Sequence, residues 1–376
     1  MTLFLPIEFN RMKHTFLFLT ALVTSAVLYA QGKRIENIII ITTDGYRWED
    51  VFKGIDSAIA DNKEYNQNRA KEIYKRFGAV TPEESRQKLL PFMWGTIARQ
   101  GQLYGNRLYD SKVDNANPYW FSYPGYSEIF CGYADTAVNS NSHPANANTN
   151  ILEFLNKQPA FAGKVASFAS WGAFASILNE KRSGFPVYCG IEPFGDVKDK
   201  SAELQLLNDL RADSYHREHG ATPDMLTQYS AMYYLKAYHP KVLSISYGET
   251  DERAHEGKYL DYLEAMHSVD KWIGDLWNYI QRTPQYKDKT ALFITVDHGR
   301  GDRDKTKWTS HGNTVEDSHE IWFAVMGPGI KTKGEVKEKG QYYQEQFAQT
   351  IAELLGGYEF KCEHPVGKGF SQDLVK

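Results

Sequence analysis

Cysteine is scarce in this sequence. Its 376 residues include three, Cys131, Cys189 and Cys362. That is too few for a disulfide framework, although an oxidising compartment would allow one pair, with Cys189–Cys362 leaving Cys131 as a buried thiol. No C-x-x-C occurs, which argues against a thiolate zinc cluster. There is no excess of basic charge. The 43 Lys and Arg against 47 Asp and Glu give a net charge of -4, and the pI is near 6.3. A nucleic-acid-binding surface would normally be basic, so none is expected. Internal repeats and low-complexity linkers are missing too. Past residue 30 no apolar run is long enough to span a bilayer, so the mature chain is expected to have no membrane span.

What remains is a globular composition, 42% hydrophobic and 24% charged. The length suits one large domain or two ordinary ones. Aromatics reach 14%; most belong in a core with amphipathic edges, and a Tyr-rich surface would also suit sugars or nucleosides. At the N-terminus Lys13 and His14 precede an apolar run, 16–28, and Ala30 closes it before Gln31. Basic, apolar and small residues in that order predict a signal peptide over 1–30, with Met12 as an alternative start. No Cys sits at the cleavage point, so no lipid anchor is expected there. The mature protein, 31–376, is expected to be exported, periplasmic or secreted.

The periodicity is that of an α/β protein. Continuous apolar, β-branched runs at 37–42 (NIIIIT), 242–247 (VLSISY), 291–296 (ALFITV) and 321–326 (IWFAVM) fit central strands buried on both faces, and 164–167 is a weaker candidate. Between them, Leu260, Leu263, Met266, Ile273, Leu276 and Ile280 recur at helical spacing and stop near Pro284. Residues 225–238 and 346–355 also read as helices, the second closed by Gly356-Gly357. Strands alternating with helices predict a mostly parallel central sheet with helices on both faces. The polar, irregular stretch 184–222 reads as a small capping insertion or a surface excursion.

Three of these strands end in metal-type ligands. Asp44 follows the first, Asp251 and His255 follow the second, and Asp297-His298 follows the third. Open α/β sheets bind ligands beyond the carboxyl ends of their strands. Singly, each has an ordinary reading as a turn residue, a helix cap or an i,i+4 surface pair. Together they have the chemistry of a catalytic metal site, with oxygen and imidazole donors that suit zinc and its neighbours.

With the segment Phe121-Ser122-Tyr123-Pro124-Gly125-Tyr126-Ser127 and Gly132, the chain resembles the alkaline phosphatase superfamily, closest to its type I phosphodiesterase/nucleotide pyrophosphatase branch. Asp44-Gly45-Tyr46-Arg47 matches that branch's D-G-x-R, and Ser122-x-Pro124 its nucleophile. Asp251 and His255 match its D-x-x-x-H, Asp297-His298-Gly299 its D-H-G, and His311-Gly312 its final ligand before Gly327-Pro328. The match runs from Asn37 to about Leu355. It implies two divalent ions, zinc by the nature of the donors. One would be held by Asp251, His255 and His311, the other by Asp44, Asp297 and His298 with Ser122. It also implies a small phosphate ester as substrate, a phosphoseryl intermediate on Ser122, and an Asn after the nucleophile that donates to the phosphoryl group. Asn141 is chosen for that role over Asn139. Tyr126, Trp120 and Trp171 are candidates to stack on the leaving group, and Arg47 either faces the phosphate or forms a structural ion pair.

Some positions depart from the pattern. Phe121 replaces the branch's Lys before the nucleophile, and Gly125-Tyr126 replace its Asn-His, which leaves monoester and diester both open. Sulfatases carry an Arg four residues after the nucleophile; Tyr126 stands there, making a sulfatase or phosphonate hydrolase of the same superfamily an alternative. A metal-stabilised extracellular binding protein is an alternative of a different class. Ser127 and His319 rival Ser122 and His311, His143 and His267 read as surface or supporting residues, and 300–307 reads as a solvated charged loop. The oligomeric state is not legible.

Overall fold

The run of isoleucines in NIIIITT has no polar face, so as a strand it must be covered on both sides. That is its place in the computed structural model, which describes residues 34–196, 198–214 and 221–376. The predicted signal peptide lies outside the described residues. Among the described residues ten strands form: β1 (Asn37–Thr43), β2 (Gly101–Tyr104), β3 (Ser111–Asp114), β4 (Val165–Ala169), β5 (Val187–Cys189), β6 (Val242–Tyr247), β7 (Thr290–Val296), β8 (Phe323–Met326), β9 (Gly334–Glu335) and β10 (Gly340–Tyr343). Eight of them make one sheet in the order β5-β4-β6-β1-β7-β8-β2-β9, and β10 pairs with β3 apart from it. The sheet is mostly parallel, as predicted; β8 alone runs against its neighbours β7 and β2. Ile35–Lys376 form one compact unit.

The helices that matter for the site are α1 (Ser122–Cys131), α2 (Ala202–Ala212), α3 (Asp224–Tyr238), α4 (Glu249–His255), α5 (Tyr259–Arg282) and α6 (Phe347–Leu354). In α5 the six apolar residues that predicted it are all buried. The stretch 184–222 contributes β5 to the sheet edge and α2, which packs on α3. Among the described residues no helix is long and apolar enough to cross a membrane. All three thiols are free, so the Cys189–Cys362 pairing is not formed.

Register brings the strand ends that carry the candidate ligands level. Thr43 of β1 pairs with Tyr247 of β6 on one side and with Val296 of β7 on the other. Asp44 and Asp297 each follow a residue of the same pair, so they emerge side by side at one sheet edge. Inside the sheet the Thr42 hydroxyl donates to Ser246 Oγ at 2.7 Å, and at the far end Asn37 Nδ2 donates to Thr290 Oγ1 at 3.4 Å.

Candidate metal centre and active-site cavity

Beyond the ends of β1, β6 and β7 lies a cavity of about 1100 Å³ whose lining includes Asp44, Ser122, Asn141, Trp171, Asp251, His255 and His311. Ser122 enters it from the first turn of α1. Pro124 is tolerated there because the opening turn of a helix needs no N–H at that position, and Gly132 closes the helix with φ 64. Gly125 lets the helix approach the sheet: a Cβ at that position would lie 2.4 Å from the Asp297 carbonyl oxygen.

The predicted ligands converge in two groups. In the first, Asp44 Oδ1 lies 3.2 Å from His298 Nε2, which lies 3.4 Å from Asp297 Oδ2. Ser122 Oγ is 3.4 Å from Asp44 Oδ1 and 3.5 Å from His298 Nε2. In the second, His255 Nε2 is 3.1 Å from Asp251 Oδ2 and 3.0 Å from His311 Nε2. His298 and His311 stack with ring centroids 4.0 Å apart, so the groups adjoin. Asp44, Asp297 and His298 lie close enough to hold one ion, and so do Asp251, His298 and His311.

The donor set fits divalent metals. Asp297 Oδ2 is buried with no hydrogen-bond partner, although its Oδ1 accepts the N–H groups of Gly45 at 3.0 Å and His298 at 2.8 Å. Burial, and then the neighbouring Asp44, push the Asp297 carboxyl well above the carboxylate range. Two buried acids this close cannot both ionise without a counter-cation. His298 Nδ1 lies 2.9 Å from the Gly299 carbonyl oxygen, an acceptor that places the proton on Nδ1 and leaves Nε2 its lone pair for a metal. Burial, and then His298, hold His311 well below the usual histidine range, in the neutral form that a ligand requires. For Asp251, burial acts upwards, but Arg300 and His311 outweigh it and hold the carboxyl well below its ordinary value.

Asn141 also reaches the site. Its Oδ1 accepts the N–H of Tyr123 at 2.9 Å, capping a free donor of the first turn of α1. Tyr126 is buried, packs edge-on against Phe174, and donates to Asp44 Oδ2 at 3.2 Å. Four residues after Ser122 on a helix, it shares that residue's face and reaches Asp44, a candidate ligand. Burial, then Asp297 and Asp44, hold its phenol well above the ordinary value, so it remains a donor.

The rival residues lie elsewhere. Ser127 is buried, accepting from Asn146 Nδ2 at 2.8 Å. His319 bonds Asp114 at 3.0 Å and meets Trp120 edge-on. His143 packs on Tyr123, and His267 lies against Leu89 and Phe77. Arg47 takes the structural role, buried among Glu49, Asp50, Asp56 and Asp302.

The charged stretch 300–307 is exposed at Arg303, Asp304, Thr306 and Lys307, as expected, but not at its start. Arg300 is 1% exposed and is bonded to Asp251. It donates to the carbonyls of Trp308 and Thr309, both at 2.7 Å. Lys305 is half-buried against Asp56 and Asp302. The sequence signal that was available for Arg300 was its position, two residues after a metal-type ligand.

The family described as Sulfatase matches residues 214–358, less than half of the chain. That span holds Asp251, His255, Asp297, His298 and His311 but neither Asp44 nor Ser122. No curated protein matches the chain. Solved structures similar to it include the alkaline phosphatase PafA (12% identity, TM-score 0.56, covering 91% of this chain and 99% of that one). A 2-O GAG sulfatase is similar at 15% identity and TM-score 0.55, with 91% and 74% covered. The phosphonate monoester hydrolase of Silicibacter pomeroyi is similar at 15% identity and TM-score 0.53, with 90% and 76% covered. At these identities the likeness is one of fold. The alkaline phosphatase-like fold expected from the sequence is the fold this chain has.

Proposed function

We propose that this chain is an exported hydrolase of phosphoric esters that uses two divalent metal ions, zinc by the donor set, and Ser122 as nucleophile. The observation that carries the reading is the position of Ser122 Oγ, 3.4 Å from Asp44 and 3.5 Å from His298 in a cavity wide enough for a substrate. Asp44, Asp297 and His298 would hold one ion, and Asp251, His255 and His311 the other. When bound, such ions favour a serine alkoxide and neutralise charge on the phosphoryl oxygens.

The chain's own residues account for the rest. Ser122 releases its hydroxyl proton to solvent, its Oγ attacks phosphorus, the ester P–O bond breaks, and the leaving alcohol takes a proton from solvent. Water then attacks the phosphoserine, restoring Ser122 and releasing phosphate or a phosphomonoester. Asn141 Oδ1 is committed to the Tyr123 N–H, so its Nδ2 is left to donate to a phosphoryl oxygen. Among the described lining residues Arg253 is the fixed cation, and Glu256 at 2.9 Å and Glu249 at 3.5 Å hold it. A monoester dianion gains most from a free Lys or Arg. The reading therefore favours a monoanionic diester, in keeping with the phosphodiesterase branch.

Sulfate or phosphonate ester hydrolysis is the second reading, favoured by the Sulfatase match over 214–358. Against the sulfatase form stands Tyr126, which fills the place of a sulfatase's Arg and is bonded to Asp44.

The test is zinc-loaded protein on bis-p-nitrophenyl phosphate, p-nitrophenyl phosphate, a phenylphosphonate and p-nitrophenyl sulfate. The diester is expected to turn over fastest, Ser122→Ala to abolish turnover, and chelation to stop it until zinc returns. Full turnover by Ser122→Ala would remove the serine from the mechanism. Silence on all four substrates would favour a binding protein.

A further inference from the structure

The two ligand groups differ in charge, and Arg300 makes the difference. Asp44, Asp297 and His298 bring two carboxylates together. Asp251, His255 and His311 bring one, and the Arg300 guanidinium is packed against it. With neutral imidazoles the formal charges are -2 for the first group and -1 + 1 = 0 for the second, Arg300 included. Arg300 is fixed in place. Its Nε donates to the Trp308 carbonyl and its Nη2 to the Thr309 carbonyl, both at 2.7 Å, while Nη2 lies 3.4 Å from His255 Nδ1. A guanidinium is a permanent cation with a planar set of donors. The fold also leaves room for the pair. Gly45 has φ 56, and a Cβ there would lie 2.7 Å from Arg300 Nη1 and 2.8 Å from Asp251 Oδ1.

We propose that Arg300 makes the two metal positions unequal. The Asp44–Asp297–His298 position binds tightly, and the Asp251–His255–His311 position is weak and exchangeable. This rests on the two-metal reading above. An ion at the second position would have to share Asp251 with a fixed positive charge. It also finds Asp251 Oδ1 already engaged by Arg300, which leaves Oδ2, 3.1 Å from His255 Nε2, as the carboxylate donor. The consequence is a centre that is half-loaded at low free metal and completed as metal becomes available.

The experiment is a zinc titration of the chelator-stripped full chain by calorimetry, with metal content measured after gel filtration. The native protein is expected to keep one zinc per chain through the column and to bind a second at least about 10-fold more weakly, the smallest effect typical of groups contacting a metal's ligands. Arg300→Gln, which removes the charge and keeps N–H donors for Trp308 and Thr309, is expected to tighten the second site about 10–100-fold and to keep two zincs. Arg300→Lys is expected to retain the inequality. Two equally tight sites in the native protein would overturn the proposal, whether or not the variants fold. An unchanged ratio in an Arg300→Gln protein with native circular dichroism would overturn it too. A native protein that binds no zinc would instead overturn the two-metal reading itself.

Discussion

Asn141 Oδ1 accepts the backbone N–H of Tyr123 at 2.9 Å, and that bond decides which way the amide faces. With the oxygen committed, Nδ2 is the end left for the cavity beside Ser122. Asn141→Ala should therefore lower kcat on the preferred ester by about 10²–10³-fold, the usual cost of one lost oxyanion donor. Asn141→Asp should lose at least as much, because it keeps the acceptor and turns a carboxylate towards an anionic substrate. Steady-state kinetics on the p-nitrophenyl panel checks both; activity near the native level in either variant would remove Asn141 from the site.

Tyr126 should matter to the metal before it matters to the substrate. Its hydroxyl donates to Asp44 Oδ2 at 3.2 Å. Tyr126→Phe deletes a hydrogen bond to a charged group, with a cost of about 1.5–3 kcal/mol. Loss of such a supporting contact typically weakens metal binding about 10–100-fold. The expected result is a lower melting temperature and weaker zinc binding, with KM little changed. A raised KM at unchanged zinc affinity would return Tyr126 to the substrate.

Gly125 tests how closely the nucleophile helix must approach. A Cβ there would meet the Asp297 carbonyl oxygen at 2.4 Å, and backbone cannot turn away as a side chain can. Gly125→Ala should cost about 1–3 kcal/mol of stability through overpacking. It should also displace Ser122 enough to lower kcat about 10²-fold while circular dichroism stays native. An alanine variant with native kcat would show that the helix has slack.

Asp270 gives the fold a pH dependence remote from the metal site. Burial pushes its carboxyl up to about 7, although the N–H groups of Phe92 and Met93 oppose the shift. In the unfolded chain the same group titrates near about 4. The folded protein thus holds this proton more tightly. The resulting stability is fully present below the unfolded pKa and is lost as pH rises through about 7. Chelator-treated protein should lose melting temperature between about pH 4 and about pH 7. Asp270→Asn, which keeps one acceptor and cannot ionise, should flatten the slope. An identical slope in the variant would assign the effect to other buried carboxyls.

The candidate ligands at the strand ends are legible because two signals coincide: an apolar run marking a buried strand, and a metal-type residue past its end. Asp44, Asp251 and Asp297 follow from that rule without a fold. Arg300 did not, because its neighbours Asp302, Arg303 and Asp304 are charged and make the stretch read as solvated. Its burial is settled by distant acceptors, Asp251 and the carbonyls of Trp308 and Thr309. The contact of Tyr126 with Asp44 is not legible because Pro124 and Gly125 hide the helix, and without helical spacing its shared face with Ser122 cannot be seen. The four-residue β2, which extends the sheet beyond β8, has too short a run to announce itself.

A row of four isoleucines, Ile38 to Ile41, looks much the same to its neighbours if it slides by one residue. With both faces buried, hydrophobicity does not oppose the slip. Yet a slip would turn Asp44 to the opposite face from Asp297 and dissolve the first ligand group. The Thr42–Ser246 hydroxyl pair, two residues before Asp44, breaks this degeneracy, since a shifted strand would strand two hydroxyls in a dry interior. The alignment of the chemistry is thereby fixed by a hydrogen bond that takes no part in it.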